Sequence, residues 1–166
     1  MILKYFNKEL ETVLKDQNHV VHRFKISIKF IGRTGLLPEY VQENMKRVED
    51  MTKKYNKHFF NVAVAYGGQQ EIIDATNKIL KKCMKGILKP ADLNTEIMKK
   101  HLYTNGQPSP DLILRTGGEK RLSNFLPFQS AYSELIFTDK KWPEFSKKDF
   151  DDALNEFEVR QRRFGS

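Results

Sequence analysis

Phe24-Lys25-Ile26-Ser27-Ile28-Lys29-Phe30 decides the fold class, because apolar and polar residues alternate with a period of two that only a half-buried strand explains, and Gly32 closes the run. Upstream, Ile2, Leu3, Phe6, Leu10, Val13 and Leu14 recur at helical spacing between Ile2 and Asp16, so the chain opens on a helix with one buried face. Downstream, Pro38 suits the first turn of a second helix, whose stripe is Val41, Met45, Val48 and Tyr55. Phe59 to Ala65 is apolar apart from Asn61 and ends at Tyr66-Gly67-Gly68, as expected of a central strand covered on both faces.

Helical spacing returns from Glu71 to Met84 through Ile72, Ile73, Ala75, Ile79 and Leu80. A loop with Pro90 and a shorter helix near Thr95 to Leu102 follow. The turn-rich stretch Asn105 to Pro110 delivers the chain into Asp111-Leu112-Ile113-Leu114, a short strand ending at Arg115, and Leu135 to Thr138 reads as another. Ser146 with Asp149 forms a capping-box pattern before a last helix faced by Phe150, Leu154 and Phe157. Strands separated by helices imply right-handed crossovers, so the expected class is α/β, a largely parallel sheet flanked by helices. No repeat or linker suggests a cut, and residues 1–166 read as a single domain.

The composition narrows the functions. With 29 Lys and Arg against 21 Asp and Glu, the chain carries +8, which favours an anionic partner: nucleic acid, a membrane surface or a phosphorylated metabolite. No aromatic-basic motif of a known nucleic-acid reader is present, so nucleic acid is not expected. The one cysteine, Cys83, excludes an internal disulfide and a thiolate cluster, reads as a small core residue, and suits a reducing cytoplasm. The apolar stretches are short and broken by lysine, which leaves at most peripheral membrane contact. His19, His22, His58 and His101 lack metal-ligand spacing and are expected at exposed or loop positions.

Ligands of open parallel sheets bind outside the carboxyl ends of the strands. Two glycine turns fall at such ends: Tyr66-Gly67-Gly68 and Arg115-Thr116-Gly117-Gly118-Glu119. The second is the better candidate. Paired glycines let a backbone approach a ligand and expose N–H donors, while Arg115, Arg121 and Ser123 can reach the same point with charge-assisted and hydroxyl bonds. Those are the ingredients of a diphosphate cradle, although a Gly-Gly beside arginine is equally at home in an ordinary turn.

The continuous segment from Asp111 through Arg115-Thr-Gly-Gly-Glu-Lys-Arg-Leu-Ser-Asn-Phe-Leu-Pro-Phe-Gln to Thr138, followed by Trp142-Pro143-Glu144-Phe145, closely resembles the C-terminal signature of cis-prenyltransferases of the undecaprenyl diphosphate synthase type. The resemblance extends back through Tyr66-Gly67-Gly68-Gln69-Gln70-Glu71-Ile72, Thr52 and Ile31-Gly32, and forward to Arg162-Arg163-Phe164-Gly165. It implies a parallel sheet flanked by helices, usually dimeric, and head-to-tail condensation of isopentenyl diphosphate with an allylic diphosphate. By the same resemblance, Arg115, Arg121 and Ser123, with Gly117 and Gly118, hold the diphosphate of isopentenyl diphosphate, and Glu134 contacts Mg²⁺, typically across a dimer interface. Arg163-Phe164-Gly165 resembles the Arg-x-Gly ending that brings Arg163 and Gly165 to a diphosphate of the neighbouring subunit. These residue types suit those roles: planar guanidinium forks match phosphate oxygens, and a hard carboxylate matches Mg²⁺ bridging to a diphosphate. The aromatic stretch of Phe125, Phe128, Tyr132, Phe137 and Trp142 is expected mostly to pack in the core.

The family's Asp-Gly-Asn-x-Arg loop and the strand before it have no counterpart, so the chain is expected to be N-terminally truncated relative to the family, to lack its first strand, and to expose an apolar sheet edge. The catalytic residue is therefore unassigned. Two readings compete: a prenyl chain-elongating transferase of which this chain carries the isopentenyl diphosphate half, and a non-catalytic accessory subunit or half-enzyme that needs a separate N-terminal chain.

Overall fold

The computed structural model describes residues 2–160. The chain divides into two compact units, Met1–Tyr66 and Gly67–Ser166, each with its own pair of parallel strands beside helices, so the α/β class expected from the alternation holds.

In the first unit, helix α1 (Ile2–Lys15), a short helix α2 (Val20–Arg23), strand β1 (Ile26–Ile31), helix α3 (Glu39–Thr52) and strand β2 (His58–Ala63) follow one another. β1 and β2 pair in parallel from Ile26 opposite His58 to Ile31 opposite Ala63. Leu10 and Val13 of α1, Val21 of α2, Ile28 and Phe30 of β1, and Val41, Met45 and Val48 of α3 form one buried cluster. Each such side chain contributes about 1.5–3 kcal/mol relative to leaving it in water. Polar ties complete the packing. The Thr52 hydroxyl donates to Val48 O (2.9 Å) and accepts from Ile28 N–H (3.1 Å), while Glu49 Oε1 accepts from Phe30 N–H at 2.7 Å. The edge of β1 away from β2 is thus closed by side chains of α3.

Three expectations fail in this unit, each for a local reason. Phe24 is not in the strand: it caps α2, is half-exposed, and precedes Lys25 in the left-handed conformation (φ 54°), so extended structure starts at Ile26. β2 is not covered on both faces. Among the described residues it pairs with β1 alone, and Phe59 and Phe60 are 62% and 57% exposed. His22 is buried rather than exposed. Its Nε2 lies 2.7 Å from the carbonyl of Val13 and donates to it, and its Nδ1 lies 2.9 Å from the Tyr55 hydroxyl, so both ring nitrogens have partners inside.

The second unit runs through α4 (Gly68–Met84), α5 (Thr95–Lys99), β3 (Leu112–Arg115), β4 (Glu134–Phe137) and α6 (Lys147–Val159). β3 and β4 pair in parallel, Leu112 opposite Glu134 and Arg115 opposite Phe137. Its buried apolar residues include Ala75, Ile79, Leu102, Ile113, Ile136 and Ala153, and Glu71, Gln129 and Ser130 are buried with them. On α6 only Ala153 is fully buried and Phe150 is 45% exposed, so that helix packs less of the expected face. Cys83 is half-buried, short of the core position expected.

The capping box at α6 forms as the sequence predicts. Ser146 Oγ accepts from Asp149 N–H, and Asp149 Oδ2 accepts from Ser146 N–H at 2.8 Å. The Asp149 carboxyl is held well below the usual carboxylate range, first by the hydrogen bond from Lys140 Nζ (2.6 Å) and then by the bonds from Ser146. A depressed pKa stabilises the folded state fully above the unfolded value of 3.8 and loses that stabilisation as pH falls below it toward the folded value. The thermal midpoint of wild type is therefore expected to exceed that of Asp149→Asn at neutral pH. The difference should shrink as pH is lowered through the ordinary carboxylate range; thermal unfolding followed by circular dichroism over a pH series checks it.

Candidate functional site

β3 delivers Arg115 to the carboxyl end of the second unit's sheet, and the next two glycines turn the chain back along β4. Gly117 and Gly118 have φ of 92° and 79°, a region L side chains rarely enter, so glycine is required there by conformation. Their N–H groups do not face outward as expected. Gly117 N–H donates to Lys140 O at 2.8 Å and Gly118 N–H to Thr138 O at 2.9 Å, while Thr138 N–H donates to Arg115 O. The turn is zipped to the end of β4. Its part in a cradle is therefore to fix where Arg115 leaves the strand rather than to supply N–H donors.

Arg121 and Ser123 return to Arg115 through the following loop. Arg115 Nη1 donates to Ser123 Oγ at 2.8 Å and to the carbonyl of Arg121. Arg121 is paired with Glu119 at 2.6 Å, both ends well exposed. An exposed pair of this kind is worth about 0–1 kcal/mol, so an anion of higher charge can displace the carboxylate readily. The three polar residues share a cavity of about 300 Å³ whose apolar wall includes Ile113, Leu114 and Phe125. A cavity of about 560 Å³ in the first unit is lined by Glu39, Glu43 and Glu49 with Lys46, the wrong balance of charge for an anion.

Glu134 opens β4, at the opposite end of the strand from the glycine turn. Its Oε2 accepts from Arg160 Nη1 at 3.0 Å, and the same nitrogen donates to Leu135 O at 3.1 Å. Arg160 also binds Glu156, and the two carboxylates, Glu156 first, raise its pKa further above the ordinary arginine value. Among the described residues no three His, Cys, Asp or Glu side chains converge to hold a metal ion, so Glu134 offers one carboxylate and not a complete protein site. Arg163 and Gly165, expected at a neighbouring subunit's diphosphate, lie outside the described residues.

The aromatic residues are less buried than expected: Phe125, Tyr132 and Trp142 are 40%, 68% and 76% exposed, while Phe128 and Phe137 are half-buried. Trp142 stacks on Phe145 with ring centroids 6.1 Å apart.

The sequence reading missed the polar residues that seat this loop. Glu71 is fully buried in the first turn of α4. Its Oε1 accepts from Tyr103 N–H (2.7 Å) and its Oε2 from Gln129 Nε2 (3.0 Å), which also donates to Thr104 Oγ1. Five residues before Gln129, Asn124 takes hydrogen bonds from the first N–H groups of the same helix, 2.8 Å each. A signal for Glu71 was available: it is in phase with Ala75 and Ile79, on the stripe that the helix buries.

Residues 1–165 match the prenyltransferase family described as undecaprenyl diphosphate synthase. Tritrans,polycis-undecaprenyl-diphosphate synthase (geranylgeranyl-diphosphate specific) of Methanocaldococcus jannaschii is 48% identical over 166 residues, covering 99% of this chain and 59% of its own. The protein of the same name from Pyrococcus furiosus is 45% identical over 164 residues, covering 99% and 61%. The chain therefore spans about three fifths of the length of these curated relatives. Among solved structures, lavandulyl diphosphate synthase from Lavandula x intermedia, in complex with dimethylallyl diphosphate, superposes with a TM-score of 0.91 at 36% identity, over 100% of this chain and 72% of that one. A probable undecaprenyl diphosphate synthase from Campylobacter jejuni gives 0.83 at 31% identity, over 99% and 73%. No helix among the described residues is long and apolar enough to cross a membrane.

Proposed function

The chain belongs to the undecaprenyl diphosphate synthase family of cis-prenyltransferases, and on that premise we propose that it carries the isopentenyl diphosphate-binding part of a site for cis-prenyl chain elongation. One observation carries the assignment: Arg115, Arg121 and Ser123, from the end of β3 and the loop after it, line a single cavity. Two guanidinium groups and a hydroxyl suit a diphosphate, and the apolar wall of Ile113, Leu114 and Phe125 suits the five-carbon tail attached to it. Glu119, now on Arg121, exchanges its place for ligand phosphate.

In the condensation, a carbon–carbon bond forms between the isopentenyl unit and the allylic carbon, the allylic carbon–oxygen bond breaks, inorganic diphosphate leaves, and one proton is lost. Arg115, Arg121 and Ser123 hold isopentenyl diphosphate by its charged end and so orient its double bond, which turns much of the encounter entropy into binding. Glu134 stands at the other end of β4 from this cavity, so it would hold Mg²⁺ against substrate phosphates of a neighbouring subunit, and magnesium commonly takes only one or two carboxylates beside phosphate oxygens. When bound, it neutralises charge that develops on the departing diphosphate. For the allylic partner, the names of the Methanocaldococcus jannaschii and Pyrococcus furiosus relatives favour geranylgeranyl diphosphate. The same reading makes the chain a homodimer in the cytoplasm, with peripheral membrane contact through its basic surface.

The test is equilibrium binding of isopentenyl diphosphate in the presence of Mg²⁺, followed by turnover with geranylgeranyl diphosphate. Saturable binding that inorganic diphosphate displaces is expected. Failure to bind isopentenyl diphosphate at all rejects the assignment.

A further inference from the structure

We infer that Asn124 is a positioning residue for the diphosphate site: it clasps the 123–127 loop to the first turn of α4 and thereby holds Ser123, and through it Arg115, in the ligand-binding arrangement. The inference rests on the proposed role of Arg115 and Ser123.

The first turn of a helix has N–H groups with no partner inside the helix. In α4 the residue at the N-cap is Gly67, which has no side chain to satisfy them. Asn124 supplies what is missing from 55 residues away. Its Oδ1 accepts from Gln69 N–H at 2.8 Å, and its backbone carbonyl accepts from Gly68 N–H, also at 2.8 Å. The contact is close as well as polar. A Cβ at Gly68 would lie 2.0 Å from Pro127 Cδ and 3.0 Å from Asn124 O, so only glycine lets the loop sit down on the helix.

The loop needs such a clasp because of its backbone. Ser123, Asn124 and Leu126 all have positive φ, at 47°, 65° and 47°. Asparagine tolerates that region; serine and leucine do so reluctantly, and such strain persists only where the surroundings over-determine it. Ser123 is the strained residue that also accepts from Arg115 Nη1. Released from α4, the loop relaxes toward ordinary φ, which carries the Ser123 hydroxyl away from the guanidinium. Asn124 thus acts on the ligand through Ser123 and without touching it.

The experiment is a double-mutant cycle on isopentenyl diphosphate affinity, measured by titration calorimetry with Mg²⁺, for wild type, Asn124→Ala, Ser123→Ala and the double variant. Asn124→Ala is expected to weaken binding about tenfold. In the Ser123→Ala background it should weaken binding less than twofold further, because residues that act through one another are not additive. Equal losses in both backgrounds, or unchanged affinity in Asn124→Ala, overturn the inference while leaving the diphosphate reading in place. If Ser123→Ala and Arg115→Met both bind as wild type does, the diphosphate reading itself falls, and this inference with it. Should Asn124→Ala not fold, Asn124→Gly carries the same test, since it keeps the left-handed backbone free of strain and removes only the side-chain acceptor.

Discussion

Replacing Arg115 with methionine is expected to lower the affinity for isopentenyl diphosphate about a hundredfold while leaving the thermal midpoint within a few degrees of wild type. Hydrogen bonds to charged groups are worth roughly 1.5–3 kcal/mol, and a hundredfold corresponds to about 2.7 kcal/mol, so one arginine on a diphosphate accounts for it. Methionine keeps the apolar stem that packs beside Leu114 in the cavity wall and removes the fork. The groups left behind, Ser123 Oγ and the Arg121 carbonyl, belong to exposed residues and can turn to water, which is why folding should suffer little. Lysine at the same position should recover less than a tenth of the lost affinity, because a single ammonium cannot bridge Ser123 and the Arg121 carbonyl while also facing two phosphate oxygens. Binding isotherms for the three proteins decide it; methionine and wild-type values within threefold would remove Arg115 from the site.

The second large effect is on stability. Glu71→Ala should cost about 3–4 kcal/mol, since it leaves the Tyr103 N–H and the Gln129 amide without their acceptor and opens a cavity in a fully buried place. A domain's total stability is commonly about 5–15 kcal/mol, so the variant should unfold at a markedly lower urea concentration. Glu71→Gln should cost about half as much: its carbonyl satisfies one donor and its amide nitrogen opposes the other. A midpoint shift for Glu71→Ala worth less than about 1 kcal/mol would mean that the ladder from α4 to Gln129 is not what seats the loop.

The sequence was legible where a side chain's neighbours are its chain neighbours. Ile26 to Phe30 alternate because a strand does, and Ser146 caps α6 because its partner Asp149 is three residues on. Arg115, Arg121 and Ser123 could be grouped for the same reason, lying within one turn and loop. What failed depended on something further away. The apolar run at Phe59 and Phe60 states that the segment is extended and says nothing of what lies on its faces. Gly117 and Gly118 promised free N–H groups, and only the return of the chain after β4 shows the carbonyls of Thr138 and Lys140 taking them. Glu134 meets Arg160 across 26 positions, and Asn124 caps a helix 55 positions earlier. Neither distance leaves a mark in local pattern. His22 was misjudged because a polar ring is welcome inside when both nitrogens find partners, as they do in Val13 and Tyr55.

The closing of β1 by Thr52 and Glu49 has a consequence for how this sheet meets other chains. Growth of a fibre by strand addition requires two open flanks, one to receive and one to offer. The first unit's sheet has its Ile28 and Phe30 N–H groups already engaged on one flank, by Thr52 and Glu49 of α3. A strand from another chain cannot add at this flank without first displacing the Thr52 hydroxyl and the Glu49 carboxylate, so the sheet cannot lengthen in that direction while α3 stays folded.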